Sequence, residues 1–146
     1  MAVQVGITKD ALGFYSYYSG DVSTEDLLEA IDYKLDKFNI INKLHYNITD
    51  YSQVKGFDYS TDAIINAAYN VSDRLDELRN GFLTVAIVNS EIQYGMMRLW
   101  GNINNNKNLI SRIVYSKAEA NKLIHEHLAK VEPRQLYHLR QEVALN

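Results

Sequence analysis

The chain of 146 residues contains no cysteine, and it has only one proline and one tryptophan. Without cysteine it can form neither a disulfide framework nor a thiolate metal site. No apolar run approaches the roughly 20 residues that a helix needs to cross a bilayer. The alternating Val3, Val5 and Ile7 that follow Met1 also do not resemble a secretory signal. We therefore expect a cytoplasmic protein without membrane insertion.

Concentrated positive charge is also missing. The formal net charge is -3, and no cluster of Lys and Arg stands out along the chain. A nucleic-acid surface needs several cations focused on one face, so we expect no nucleic-acid partner. The eleven tyrosines fit half-buried strands, in which the ring packs and the hydroxyl reaches water. The alternative, a base-stacking platform, would need the basic patch that this sequence lacks.

The common catalytic signatures are missing as well. The sequence has no Gly-x-Ser-x-Gly elbow, no cysteine nucleophile and no glycine-rich loop for phosphates. His125 and His127 lie two residues apart on a predicted helix, so their side chains diverge by about 200° and cannot share one metal ion without outside ligands. We expect a protein that is not an enzyme and that has neither a metal site nor a cofactor.

The composition and patterning are those of one globular domain. Apolar residues make up 47% and charged residues 23% of the chain. Residues 3–7 and 12–18 alternate, which predicts an N-terminal β-hairpin that ends at residues 20–21. Three further strands are predicted at residues 44–48, 83–88 and 110–115. They alternate with helical patterns, which predicts an α/β fold: a mixed, mainly parallel sheet of four to five strands with about four helices packed on it.

Serines mark the starts of several predicted helices. Ser23 with Asp26, and Ser116 with Glu119, have the spacing of a capping box. Apolar residues recur from residue 64 to residue 78 at steps of three and four, which predicts the most regular helix of the chain. The domain is expected at residues 1–130. Residues 131–146 are expected to form a C-terminal amphipathic helical tail that docks on the domain or mediates a homodimer.

Polar side chains gather where two predicted strands end. Asp50, Tyr51 and Ser52 open a predicted loop at residues 50–60, and Asn89 and Ser90 follow the apolar strand at residues 83–88. In an open α/β sheet, ligands and partners contact the loops beyond the carboxyl ends of the strands. We therefore predict a partner-binding surface at these five residues.

Further polar residues extend this prediction. Asp58, Ser60 and Thr61 lie at the start of the long predicted helix, where the helix dipole would favour a phosphorylated hydroxyl. Ser60 and Thr61 are therefore candidate phosphoacceptors; the alternative is that one of them only caps the helix. Arg98, beside an inward-facing apolar stripe, is a candidate contact for an anionic ligand or a partner carboxylate. The alternative is that it pairs with a neighbouring acid or lies along the surface.

Several short motifs resemble the SpoIIAA-like STAS family, and they occur in the family's order over roughly residues 11–130. They are SGDVSTED at residues 19–26, DYSQV at residues 50–54, VAIV at residues 85–88, YGMMRL at residues 94–99 and RIVYSKAEA at residues 112–120. The resemblance implies a four- or five-stranded sheet with helices packed mainly on one side.

The resemblance also implies a function. Better-known members of the family are non-catalytic anti-sigma-factor antagonists, switched by serine phosphorylation at the start of a helix. Their acceptor turn corresponds here to DYSTD at residues 58–62, which makes Ser60 the nearest match, although the glycine of the turn is missing. The leading expectation is a regulatory protein-interaction module whose partner is a protein, with a regulatory kinase or phosphatase as one candidate. The alternative is a carrier or sensor of a small apolar ligand, with tyrosines and Met96 or Met97 lining a pocket.

Overall fold

The computed structural model describes residues 3–131. Its strands are β1 (Val3–Ile7), β2 (Gly13–Ser23), β3 (Tyr46–Asp58), β4 (Phe82–Ile87) and β5 (Leu109–Val114). Its α-helices are α1 (Thr24–Asp36), α2 (Phe38–Ile41), α3 (Thr61–Ser72), α4 (Glu91–Ile103) and α5 (Lys117–Leu128), and a 3₁₀ turn spans Leu75–Glu77. The tail predicted at residues 131–146, and the dimer attributed to it, lie beyond the described residues from position 132 onward.

The five strands form one sheet in the order β1-β2-β3-β4-β5. β1 pairs with β2 in antiparallel fashion, and every other pair is parallel. The predicted fold class is therefore confirmed: the chain is α/β, with a mixed, mainly parallel sheet that begins in a β-hairpin. The structure adds one helix to the predicted four, because the short α2 forms directly after α1.

Helices cover both faces of the sheet. On one face, Leu83, Val85 and Ile87 of β4 pack against Ala120 and Ile124 of α5. On the other face, the strands pack against residues from α1, α3 and α4. When parallel strands follow one another in sequence order and every crossover between them has the same handedness, the connecting helices lie on the same face of the sheet. Among the described helices only α5, which no described strand follows, covers the opposite face.

The boundaries predicted for β2 and β3 were both wrong. Residues 20–21 do not end the hairpin, because β2 continues to Ser23; residues 50–58 are not a loop but the second half of β3. The two strands pair in parallel from Gly13 opposite Tyr46 to Ser23 opposite Asp58, with register shifts on the way. Such irregularities interrupt the period of two by which a strand is recognised in a sequence.

The predicted helix starts are confirmed. Ser23 accepts a hydrogen bond from the Asp26 backbone N–H, and the Asp26 carboxylate accepts one from the Ser23 N–H, which is a complete capping box. Ser60, Ser90 and Ser116 also cap helices through their hydroxyl oxygens. The helix predicted to reach residue 78, however, ends at Ser72 and is followed by the 3₁₀ turn.

A buried histidine lies just before β3. The His45 backbone N–H donates to the Leu12 carbonyl (2.8 Å), and its carbonyl accepts from the Leu83 N–H (3.1 Å). The side chain is only 3% exposed, and Nε2 has no hydrogen-bond partner in the described part of the chain. Burial, with smaller contributions from Arg79 and His127, lowers the pKa of His45 to about 4. His45 is therefore neutral in the folded protein at pH 7.

We expect this histidine to make the protein less stable in mild acid. Between about pH 6.5 and pH 4 the unfolded chain binds a proton at His45 and the folded chain does not, so the free energy of unfolding falls as the pH falls through this window. The expected loss from this group is about 3 kcal/mol. Urea unfolding of His45→Leu at several pH values should give a shallower slope, whereas His125→Gln, at an exposed position, should leave it unchanged. An unchanged slope in His45→Leu would contradict this account.

Candidate functional site

The residues predicted at the strand ends do come together; we call Asp50, Ser52, Asn89 and Ser90 the carboxyl-edge cluster. β4 pairs with β3 only as far as Ile87 opposite Asp50. Beyond that point, Asn89 Nδ2 donates to the carbonyl oxygens of Ser52 and Val54, both at 3.0 Å. The amide of Asn89 therefore continues the connection between the two strands after the backbone ladder has ended.

The polar groups of this cluster are largely used by the protein's own backbone. The buried Asp50 accepts a hydrogen bond from the Ser52 N–H at 2.8 Å. The Asn89 N–H donates to Gln93 Oε1 at 2.7 Å, and Ser90 Oγ accepts from the Gln93 N–H. The cluster is therefore a rigid, preformed surface, of which Asn89 is the exposed member.

Tyr51 and Arg98 lie apart from the carboxyl-edge cluster. Tyr51 points to the face covered by α1, α3 and α4, where it is buried and stacks on Tyr18 with 4.8 Å between ring centroids. Burial raises the pKa of both phenols above the ordinary value. Arg98 is exposed on α4, among the residues that border a partly open cavity.

Asp58, Ser60 and Thr61 form a second exposed group where α1 and α3 begin side by side. The Ser60 N–H donates to Thr24 Oγ1 at 2.6 Å, and Ser60 Oγ accepts from the Ala63 N–H at 3.4 Å. The capping alternative for Ser60 is therefore realised. Its hydroxyl nevertheless lies at an exposed position.

An exposed apolar patch adjoins the carboxyl-edge cluster, and sequence reasoning did not single it out. Ile92, in the first turn of α4, is 69% exposed, and Tyr115, just after β5, is 53% exposed. The rings of Tyr94 and Tyr115 stack nearly parallel, with centroids 6.0 Å apart. We call the exposed apolar surface around Ile92 the Ile92 patch. Tyr94 lies two residues further along α4, so its side chain diverges from that of Ile92 by about 200°, and the Tyr94–Tyr115 pair is a separate feature.

A cavity of about 460 Å³ lies between the sheet and the helices of the α1–α3–α4 face. Small-molecule sites commonly measure about 300–1,000 Å³. Most residues of its wall are apolar or aromatic, including Ile31, Leu35, Met96 and Trp100. We call this space the sheet–helix cavity.

The sheet contributes a polar floor to the cavity. Asn47, Thr84 and Ser111 lie side by side on three neighbouring strands, and Thr49 lies two residues further along β3, on the same face. Asn47 Nδ2 donates to Thr84 Oγ1 at 3.1 Å, whereas the buried Asn47 Oδ1 has no partner in the described part of the chain. Parallel strands covered on both faces are ordinarily apolar throughout. A polar floor therefore indicates that these side chains face something other than packed hydrocarbon.

Asn104, which directly follows α4, has two buried polar atoms without a hydrogen-bond partner, more than any other described side chain of the cavity wall. It is 2% exposed, and within residues 3–131 neither Oδ1 nor Nδ2 has a hydrogen-bond partner. Each such buried group costs about 1–3 kcal/mol when it stays unpaired. A side chain that carries two of them is suited to contacts with a molecule inside the cavity.

The charged residues of the wall have one sign only. The described residues that border the cavity include Lys34, Arg98 and Arg112, and none of those that border it is an Asp or a Glu. Lys34, on α1, is only partly exposed, and burial lowers its pKa to about 8. Its amine is therefore still predominantly protonated at pH 7, so the cavity wall is positive in a chain whose net charge is -3.

The sequence offered tyrosines and Met96 or Met97 as the lining of a ligand pocket, and Tyr18, Tyr51, Met96 and Met97 do border the cavity, whereas its polar floor was not expected. Asn47 alternates with Tyr46 and Ile48, and its face of the sheet lies beneath α1, α3 and α4. The available signal was the recurrence of Asn47, Thr49, Thr84 and Ser111 on the same face of three strands. That signal becomes visible only when the register of the strands is known.

Two other kinds of feature do not occur among residues 3–131. No group of three or more His, Cys, Asp or Glu side chains is arranged to hold a metal ion there. None of the helices in that part of the chain has the length and apolar character needed to cross a membrane.

Comparisons with known proteins identify the fold. An uncharacterized protein of the DUF3478 family from Shewanella loihica PV-4, described as having a SpoIIAA-like fold, matches with a TM-score of 0.53 and 14% identity, over 84% of this chain and 91% of that one. The anti-sigma factor antagonist SpoIIAA in its unphosphorylated form has a TM-score of 0.47 and 11% identity, over 85% of this chain and 98% of that one. No family model matches the sequence, and neither does any curated protein.

The chain is therefore an α/β protein of the SpoIIAA-like fold, as the sequence motifs predicted. At this level of identity the likeness shows the fold alone, so the function has to be argued from the cavity and the surfaces.

Proposed function

We propose that this chain is a non-catalytic binding module whose sheet–helix cavity holds a small ligand with a largely apolar body. The observation that carries the proposal is the cavity of about 460 Å³ whose buried Asn104 has no partner within residues 3–131. Apolar walls with a few convergent polar groups are typical of small-molecule sites. From the sequence, a carrier of an apolar ligand was the alternative function. The cavity favours this function over that of a protein-interaction module. A cytoplasmic location is part of the proposal.

The test measures ligand binding directly. Native mass spectrometry of protein purified under gentle conditions from its natural source should detect a bound small molecule. Ala86→Phe, which places a ring in the cavity from β4, should abolish binding while circular dichroism shows a folded protein. Trp100 is the only tryptophan and borders the cavity, so its fluorescence should report entry of an apolar chain. If purified protein carries nothing and apolar compounds leave the emission unchanged, this function is excluded.

The second candidate is the protein-interaction module, regulatory in role. The observation that favours it is the exposed Ile92 patch beside the preformed carboxyl-edge cluster. Exposed apolar patches rimmed by polar residues commonly mark protein contacts. The partner would be a protein such as a regulatory kinase or phosphatase, and Asn89 and Ser90 would form the polar rim. Asp50 and Ser52 would hold this surface in shape.

This candidate is tested by one matched pair of surface variants. A partner recovered from the natural source should be lost by Ile92→Asp and retained by Tyr69→Asp, which makes the same kind of change at an exposed position of α3. Equal retention by both variants would remove the Ile92 patch from consideration. Equal loss would show that the effect is not specific to this surface.

Ser60, with Thr61 as the alternative acceptor, stays our proposed phosphorylation position. A phosphate there would lie at the adjoining starts of α1 and α3, where the positive ends of the helix dipoles favour added negative charge. Intact-mass measurement should show a species that disappears in Ser60→Ala or in Thr61→Ala. A phosphate mapped to any other residue would end this part of the proposal.

A further inference from the structure

The charge of the cavity wall narrows the chemistry of the ligand. We infer that the sheet–helix cavity binds an amphipathic anion: an apolar chain that ends in one negatively charged oxygen group, of which an alkyl carboxylate is the simplest example. This inference rests on the proposed function of the cavity as a ligand site. It adds a polar end of defined charge to the apolar ligand.

The charges of the cavity wall favour a negatively charged ligand. Lys34, Arg98 and Arg112 are among the described residues that border the cavity, and none of those bordering residues is acidic. A charge is costly to bury unless it meets an opposite charge or several hydrogen bonds. A cationic ligand would find no counter-ion in this wall, whereas an anionic ligand and the Lys34 ammonium would compensate each other.

The hydrogen-bonding groups of the cavity wall constrain the polar end of the ligand. The cavity offers donors from Lys34 and from Asn104 Nδ2, and the amide nitrogen of Asn104 has no partner among residues 3–131. An ionised carboxylate only accepts hydrogen bonds and can accept about four. Among residues 3–131 the wall also holds two unpaired acceptors, Asn47 Oδ1 and Asn104 Oδ1, so it is the Lys34 charge, together with the donor Asn104 Nδ2, that makes a carboxylate a better match than an ammonium group.

The apolar part of the cavity wall calls for a ligand with an apolar chain. Ile31, Leu35 and Met96 are among the apolar and aromatic residues that form most of the wall. Each buried methylene contributes about 0.8 kcal/mol. A bare inorganic anion would leave this surface uncovered, so the ligand must carry an apolar chain.

The test compares three ligands with the same chain and different ends: decanoate, 1-decanol and decylamine. Binding is followed through Trp100 fluorescence and by calorimetry, with decyl phosphate as a further arm that separates a carboxylate from a phosphate end. We expect decanoate to bind about tenfold or more tightly than decanol, because a hydrogen bond to a charged partner outweighs a neutral one. Decylamine should bind most weakly.

Two matched variants locate the effect. Lys34→Met keeps the length of the side chain and removes its charge, so the affinity for decanoate should fall to that for decanol. Lys55→Met makes the same change at an exposed position that does not border the cavity, and it should keep the difference between the two ligands. Circular dichroism of both variants verifies that they fold.

The outcomes separate the two proposals. If decanol and decanoate bind equally well, and Lys34→Met changes neither affinity, the anion inference fails and the apolar-ligand function stands. If decylamine binds best, the inference is also overturned. If none of the compounds binds to the wild-type protein, the proposed function of the cavity fails, and the inference fails with it. Tighter binding of decyl phosphate than of decanoate would support an anionic end and assign it to a phosphate.

Discussion

Replacing Gly13 with alanine is expected to lower the free energy of unfolding by about 3 kcal/mol. Gly13 opens β2 opposite Tyr46, and a Cβ at this position would overlap the Tyr46 ring. The ring is buried, and its hydroxyl donates to the Asp10 carboxylate at 2.9 Å. It therefore cannot move aside without losing this hydrogen bond. Urea unfolding followed by Trp100 fluorescence measures the change.

Gly95→Ala is the control for this experiment. Gly95 lies within α4, and among residues 3–131 nothing beyond its chain neighbours and the backbone of its own helix comes within 4 Å of the place that a Cβ would occupy. Alanine there should stabilise the protein by about 0.5–1 kcal/mol, because glycine is a poor helix former. The same substitution is thus expected to act in opposite directions at the two glycines. A Gly13→Ala protein as stable as the wild type would show that the Tyr46 ring is not fixed.

Asn104→Leu is expected to stabilise the ligand-free protein and to weaken its binding of decanoate. The substitution removes two buried polar atoms that have no partner within residues 3–131, and an apolar side chain of similar size should add about 1 kcal/mol of stability. It also removes a donor from the cavity wall, so the affinity should fall about tenfold. Unfolding in urea and titration with decanoate measure the two effects on the same sample.

Opposite signs in these two measurements would distinguish a binding residue from a structural one. Asn70→Leu, at an exposed position on α3 that does not border the sheet–helix cavity, is the matched control and should leave the affinity unchanged. If Asn104→Leu instead destabilises the protein by 1 kcal/mol or more, Asn104 has a structural partner, and its assignment to the ligand is wrong. Natural proteins commonly lose some stability at positions kept for function.

The fold was largely predictable from the sequence because its elements are locally marked. Ser23, Ser60, Ser90 and Ser116 precede helices and cap them, and a capping serine acts within three residues of its own position. The apolar run of β4 likewise predicts a strand covered on both faces. Local signals of this kind can be read without knowledge of the tertiary structure.

The errors arose where distant residues decide the structure. The second half of β3 is a strand because β2 pairs with it through register shifts, and no pattern within residues 50–58 encodes that pairing. The partner-binding residues were predicted from strand order alone, which placed Asp50 and Asn89 near each other but did not reveal that Tyr51 is buried. The cavity depends on which polar side chains share a face across β3, β4 and β5, and this follows from the register of three strands.

The arrangement of helices on the two faces of the sheet has a consequence for the order in which the protein is made. During synthesis, residues 3–114 emerge before α5, so the sheet and the helices of its first face are complete while Leu83, Val85 and Ile87 still lack the helix that covers them. Exposed apolar surface on a partly completed domain favours aggregation. The nascent chain is therefore most vulnerable just before Ala120 and Ile124 leave the ribosome.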